Sequence, residues 1–323
     1  MKYLVLGFVS LFFLSGNVQA DSHQIDAISW LKKMESAAHQ LTYTGTFVYQ
    51  HGSNVETSKI THFMDDAGEH EKLVMLDGLP RETIRINDEV YCYLPDSKTV
   101  KVEKRNTRKF FPALLPKEID KIAESYTIKL GEIERVAGYE CRAVVLEPKD
   151  ELRYGYKLCG DVTTALLLKA TLMNRKNEAM NQFAFTHLAI GGQIDKSQFK
   201  PKSLWSKHTW QADKSVVLDA NNNETGWLIK QPPSGFVKTK EMKRAMPGKT
   251  APVTHLVYSD GLATISVFIE PLAGMAHPMQ GLSSQEQVNI YAKLFNDYQI
   301  TVIGEVPVAT VMQFANSVVN PGQ

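Results

Sequence analysis

The chain has 323 residues, and its 36 Lys and Arg against 35 Asp and Glu give a formal net charge of +1. A chain so near neutrality lacks the cationic surplus through which general nucleic-acid binders neutralise phosphate, so nucleic acid is not an expected partner. A chain of this length exceeds what one hydrophobic core usually serves, and two domains are expected.

The first twenty residues read as an export signal. Lys2 precedes an apolar stretch from Tyr3 to Leu14, and Val18, Gln19 and Ala20 supply the small, x, small pattern of a cleavage site, so the mature chain is expected to begin at Asp21. About twelve apolar residues fall short of the ~20 that span a bilayer. With no Cys beside the cleavage point, the product is expected free in the periplasm rather than lipid-anchored.

Ala27, Leu31, Met34, Ala38 and Leu41 recur at spacings of three and four, which predicts an amphipathic helix over 25–41. The period then changes to two. Strands are expected at 43–51, 55–65, 71–76, 81–87, 90–94 and 99–104, separated by turn formers such as Gly52 with Ser53 and Asp77 with Gly78. Residues 105–125, with Arg105, Arg108, Lys109, Pro112 and Pro116, suit a loop with a short helix. Strands resume at 127–136, 139–147, 152–159, 166–173 and 178–187. This pattern predicts a β-rich α+β chain whose first domain is a half-open antiparallel β-barrel with a covering helix.

Residues 195–224, rich in Lys, Ser, Asp and Asn, read as a linker. Beyond it, strands are expected at 227–242, 253–259, 264–270 and 299–306, and helices at 285–295 and 308–318, a smaller α+β domain. The division is therefore 1–20 signal peptide, 21–194 first domain, 195–224 linker and 225–323 second domain.

Three cysteines, Cys92, Cys141 and Cys159, are too few for a disulfide scaffold, yet export places them where disulfides form. If the turn at 148–151 has an odd number of residues, Cys141 and Cys159 lie opposite each other on adjacent strands and can bridge, leaving Cys92 free. The alternative is three buried thiols.

No catalytic or cofactor motif survives inspection. His70-Glu71-Lys72-Leu73-Val74 lacks the second histidine of a zinc protease box and reads as a strand. Gly248-Lys249-Thr250 resembles the end of a phosphate loop, but Lys243 stands where the first glycine is required. There is no G-x-S-x-G elbow, paired C-x-x-C or dinucleotide fingerprint, so no cofactor, metal or enzymatic activity is expected.

An apolar face remains. A two-residue turn at Gly52 and Ser53 puts Tyr43, Phe47 and Tyr49 on the same sheet face as Ile60 and Met64, with Thr44, Thr46, Gln50, Thr57, Lys59 and Thr61 opposite. A curled sheet either fills such a face with side chains, which the sequence favours, or leaves a cavity for an apolar ligand lined by those five residues.

Several segments together resemble the MucB/RseB family of periplasmic regulators of the envelope-stress sigma factor (sigma-E/AlgU type). They are Gly45-Thr46-Phe47-Val48-Tyr49, Leu76-Asp77-Gly78 with Arg81 and Glu82, and Arg153-Tyr154-Gly155-Tyr156. In the second half they are Gly235-Phe236, Tyr258-Ser259-Asp260-Gly261-Leu262, Ser266 to Pro271, and Val302 to Pro307. The resemblance implies a LolA/LolB-like half-barrel with a smaller C-terminal domain and no catalytic residues. It also implies binding to the periplasmic part of a transmembrane anti-sigma factor (RseA/MucA type), shielding it from proteolysis, with release by lipopolysaccharide or lipoprotein acyl chains. On this reading the second domain and the interdomain groove hold the partner. The barrel taken alone suggests a periplasmic carrier of lipid or lipoprotein instead.

Overall fold

The computed structural model describes residues 18–94, 96, 99–104, 110–199, 209–212, 216–218, 220–244, 251–273, 275 and 277–320. The apolar part of the signal segment, the basic residues at 105–109 and Gly248-Lys249-Thr250 lie outside them.

Helix α1 (Val18–Gln40) is followed by β1 (Tyr43–His51), β2 (Asn54–Asp65), β3 (Gly68–Met75), β4 (Glu82–Ile86), β5 (Glu89–Leu94) and β6 (Thr99–Lys104). Helix α2 (Ile119–Ser125) leads into β7 (Tyr126–Val136), β8 (Tyr139–Pro148), β9 (Gly155–Asp161), β10 (Leu167–Met173) and β11 (Ala179–Ile190). These are two antiparallel meanders, and β1 pairs with β11 to fuse them into one open sheet with β7 at one end.

The sheet wraps around α1. Six strand steps separate β2 from β7, roughly 29 Å if the sheet were flat, yet α1 contacts β2, β10 and β7 at once. Ala27, Leu31, Met34 and Ala37 point into the resulting core with Leu146, Leu158 and Leu168. The helix is thus held by its apolar stripe rather than by its own propensity.

The segment expected to be the linker, 195–224, is partly structured among its described residues. A 3-10 turn at Lys196–Phe199 packs Phe199 edge-on against Phe63 at 4.8 Å, on the outer face of the sheet. Strand β12 (Thr209–Ala212) pairs with β6, in parallel, and β13 (Val216–Leu218) pairs with the second sheet. Polar composition marked these residues as linker, but strand edges supply backbone partners whatever the side chains.

The second sheet contains β13, β15 (Val237–Arg244), β16 (Val253–Ser259), β17 (Thr264–Pro271), β20 (Tyr298–Gly304), β19 (Val288–Phe295) and β18 (Gly281–Gln285), in that order. Helix α3 (Val308–Asn316) buries Val311, Phe314 and Ala315 on Ile265, Val267, Ile300 and Val302. A small ribbon of β14 (Leu228–Ile229) and β21 (Val318–Val319) accompanies it. The single strand expected over 227–242 is broken at Pro232-Pro233, as missing donors require.

One element is of the wrong type in the sequence reading. Residues 285–295 form no helix but the β18–β19 hairpin, turning at Glu286 and Gln287, with Glu286 at φ 57°. Asn289 and Ala292 are buried while Leu294 is exposed, so this strand has no clean alternation to announce it. Its ladders to β18 and β20 hold it extended.

Cys141 and Cys159 form a disulfide between β8 and β9, with Cα atoms 5.4 Å apart, and Cys92 is free. They are not directly opposite: Cys141 faces Asp161 and Cys159 faces Ala143, so the bridge runs diagonally. It closes a short loop in a buried position. Reduction is expected to lower the unfolding free energy by about 3 kcal/mol, measured as the difference in urea midpoint between oxidised protein and Cys141→Ser/Cys159→Ser.

Candidate functional site

Tyr43, Phe47 and Ile60 share the concave face under α1 and are buried there, as the two-residue turn with His51 opposite Asn54 dictates. The face is filled at Phe47. Phe111, from the segment between β6 and α2, sits 5.0 Å from Phe47 and 4.9 Å from Phe185, and stacks on Phe183 at 5.6 Å. Tyr49 is half-buried and stacks on Phe183 at 4.3 Å. Met64 is 46% exposed, outside this packing.

Toward α1's C-terminal end the same face turns ionic. Tyr43, His62, Glu71 and Arg85 stand in one transverse row across β1, β2, β3 and β4, and Glu69 lies one row further along. Glu69 Oε1 accepts from His39 Nδ1 at 2.8 Å, His62 Nε2 at 3.1 Å and Arg85 at 2.7 Å. Burial opposes the Glu69 carboxylate, yet hydrogen bonds from His39 and His62 and the charge of Arg85 hold it well below the usual range. Burial pushes Glu71 up, against the pull of Arg85. Among the described residues no three such side chains are arranged to hold a metal ion.

The two domains meet at a buried guanidinium. Arg153, in the turn between β8 and β9, donates to Asp260 at 2.8 Å, to both carboxylate oxygens of Asp150 at 3.0 and 2.9 Å, and to the Ser234 carbonyl at 2.6 Å. Its side chain and that of Asp260 have no exposed surface. The guanidinium lies over the rings of Phe236 at 5.1 Å and Tyr126 at 5.8 Å. Burial keeps the Tyr126 hydroxyl protonated, and it faces Asp260 Oδ2 at 3.4 Å. Asp260 spends its other oxygen on the amides of Leu262 and Ala263.

The backbone around this ion pair is fitted to the seam. Gly235 has φ 81°, and a Cβ there would sit 2.4 Å from Ser125 Oγ at the end of α2. Gly261 has φ 101° and would meet Pro116 at 3.2 Å. Further contacts cross at the periphery: Thr310 Oγ1 donates to the Leu152 carbonyl at 2.7 Å, Gln287 to Met180 at 2.8 Å, and Asn54 to Glu286 at 2.8 Å. His51 also pairs with Glu286.

Beside the β1–β2 turn opens a surface pocket of about 720 Å³, with Val55, Met75, Leu79 and Pro80 among its apolar walls and Glu56, Asp77 and Arg81 among its charges. Both Asp77 oxygens accept from the Thr57 amide at 2.9 Å, which fixes the rim and holds that carboxyl below its usual range.

Sequence reading missed Arg153 with Asp260, and His62 with Glu69, as partners. The signal for the first pair was the spread of the resembling segments, since Arg153-Tyr154-Gly155-Tyr156, Gly235-Phe236 and Tyr258 to Leu262 all converge on the seam. For the second it was the parity of the strand, which places His62 on the face otherwise read as dry. Removing Arg153 leaves Asp260 buried without a counter-charge, so Arg153→Ala is expected to cost about 3–5 kcal/mol, read from chemical denaturation. Arg153→Lys, which keeps the charge and loses the fork, is expected to fall between that and wild type.

Models of the MucB/RseB N-terminal and C-terminal domains match residues 26–203 and 221–319. The chain is 32% identical to the sigma factor AlgU regulatory protein MucB of Pseudomonas aeruginosa, over 96% of each chain. It is 27% identical to the sigma-E factor regulatory protein RseB of Haemophilus influenzae, over 98% of this chain and 99% of that one. A solved structure of the Pseudomonas aeruginosa MucA/MucB complex superposes with a TM-score of 0.73 at 30% identity, covering 91% of this chain and 99% of that chain. A crystal structure of MucB in complex with MucA(peri) gives 0.72 at 29% identity, with the same coverage. Matched along both domains and over nearly all of its length, the chain belongs to the MucB/RseB family.

Proposed function

We propose that this chain is a periplasmic regulator that binds the periplasmic part of a membrane-embedded anti-sigma factor and shields it from proteolysis. The observation that carries this reading is full-length similarity to MucB, a protein solved in complex with MucA. The similarity includes the second domain, which a lipid or lipoprotein carrier built on the barrel alone would leave unexplained. The partner is assigned to the second domain and the groove beside the seam, and the protein acts by binding rather than catalysis.

The leader at 1–20 supports export, and among the described residues no helix is long and apolar enough to cross a membrane. Release by lipopolysaccharide or lipoprotein acyl chains belongs to the same reading. A lipid using the face of Tyr43, Phe47, Tyr49 and Ile60 has to displace packed aromatic side chains, since Phe111 occupies it. A ligand loosens the complex only if it prefers the free protein, and the partner then weakens ligand binding by the same factor.

The test is calorimetric titration of the mature protein with the periplasmic segment of the anti-sigma factor from the same organism, without and with lipopolysaccharide. Binding that lipopolysaccharide weakens is the expected result. Binding untouched by lipid keeps the regulator and removes lipid release; no binding overturns the regulator and favours the carrier. Phe47→Asp is expected to unfold the first domain by placing a charge in a packed core, seen as loss of its cooperative melting transition.

A further inference from the structure

We propose that the outer edge of β18 is a strand-addition site, where an extended, uncharged segment of the protein partner pairs backbone to backbone and runs along the second domain from the seam. This rests on the regulator reading above. Strand β18 (Gly281–Gln285) ends the second sheet, and among the described residues only β19 pairs with it. Its closing pair, Gln285 with Val288, is hydrogen-bonded across a two-residue turn. Antiparallel bonding alternates from there, so Gly281, Ser283 and Gln285 bond to β19, while the N–H and C=O groups of Leu282 and Ser284 point outward. Those are the donors and acceptors that an added strand takes.

The other sheet ends are guarded, and this one is not. Strand β7, which ends the first sheet, is bulged between Leu130 and Ile133 and bears Lys129, paired with Glu147, and Glu134, paired with Lys157. At the opposite ends of the two sheets, β12 and β13 are four and three residues long. Bulges, charges and shortness are the usual guards against an incoming strand. Strand β18 has a regular register, and its sequence, Gly-Leu-Ser-Ser-Gln, contains no charge and no proline. Every residue of it is exposed, Leu282 at 51%. Leu282 lies opposite Tyr291, which packs against the core beneath α3. A side chain facing Leu282 from an added strand extends that apolar surface, so the segment that fits is uncharged and carries an apolar residue there.

The edge is continuous with the seam. The turn that closes the β18–β19 hairpin is docked on β1, β2 and β11 of the first domain. Glu286 pairs with His51 and accepts from Asn54 at 2.8 Å, and Gln287 donates to the Met180 carbonyl at 2.8 Å. A strand laid on β18 therefore has one end at the first domain. A second copy of the chain is a poorer occupant, because five residues of edge cover far less than the ~800 Å² per side that a stable interface takes. A partner segment that also touches the first domain needs the edge for only part of its hold.

The test uses the full mature chain and the periplasmic segment of the anti-sigma factor from the same organism. Residue-resolved hydrogen exchange is expected to show the Leu282 and Ser284 amides gaining about tenfold protection on saturation with the segment, with little change at Ser283, whose amide is already bonded to β19. Ser284→Pro removes one outward donor and no bond to β19, a change that edge strands tolerate, and is expected to weaken binding about tenfold in calorimetric titration. Ser284→Ala loses the same side-chain bond to Asn289 but keeps the amide, and is expected to bind as wild type does. Equal binding by wild type and Ser284→Pro, or no new protection at Leu282 and Ser284, overturns the proposal and leaves the regulator standing; no binding to wild type overturns both. Protection of those amides that rises with protein concentration in the absence of the segment assigns the edge to a second copy and overturns the proposal too. The exchange pattern decides the matter even if Ser284→Pro fails to fold.

Discussion

Arg153 reaches across the domain boundary with no solvent contact, and the relation between the two halves depends on what it finds there. Burying a guanidinium costs several kcal/mol before any partner is counted. Here the cost is offset by two carboxylates, a carbonyl and two aromatic faces, contributed by both domains. The partners are complete only when the domains are docked: Asp150 belongs to the same turn as Arg153, whereas Asp260, Ser234 and Phe236 come from the second domain. An ion pair of this kind contributes more to geometry than to net stability, because every displaced donor is penalised. The second domain, with its own sheet and core, is set at one angle against the first by this fork and by two glycines that admit close backbone approach. The seam between the domains therefore has a defined shape.

The concave face is graded rather than uniformly dry. At one end Phe47, Phe111, Phe183 and Phe185 pack ring against ring. At the other, four strands present Tyr43, His62, Glu71 and Arg85 in a row beneath the end of α1. The end of α1 lies over the ionic end, whereas Phe111, from the segment between β6 and α2, fills the aromatic one, and different forces hold the two. Dispersion and burial hold the aromatic end and are indifferent to pH. Charge and directed hydrogen bonds hold the other.

The outer face of the sheet explains why the connecting segment is not free. Phe63 points away from the main core, and left bare it would be a large exposed ring on a sheet surface. His70 stacks on it at 4.4 Å and Phe199 caps it. Lys196 pairs with Asp65, and Lys72 donates to the Gln198 carbonyl at 2.7 Å. The start of the segment between the domains is therefore tied to the first domain by a small apolar cluster with an ionic rim.

By itself the sequence determined what is local and periodic. The stripe from Ala27 to Leu41 marked the covering helix, alternation and turn residues marked the meanders, and the two-residue turn at Gly52 and Ser53 placed Tyr43, Phe47 and Ile60 on one face, because a period of two is fixed once the turn is known. It also carried the family resemblance that full-length comparison then established. Tertiary structure decided everything that depends on a distant partner. Residues 285–295 became a hairpin because β20 offers a ladder there, against an irregular pattern that fits a helix as well. Phe111 fills the concave face from a segment with no periodicity at all. Arg153 and His62 each look like ordinary polar residues in the chain, since a charge announces nothing about its counter-charge 107 residues away. Hydrophobic period is a property of neighbours in sequence, whereas the satisfaction of a buried charge is a property of neighbours in space.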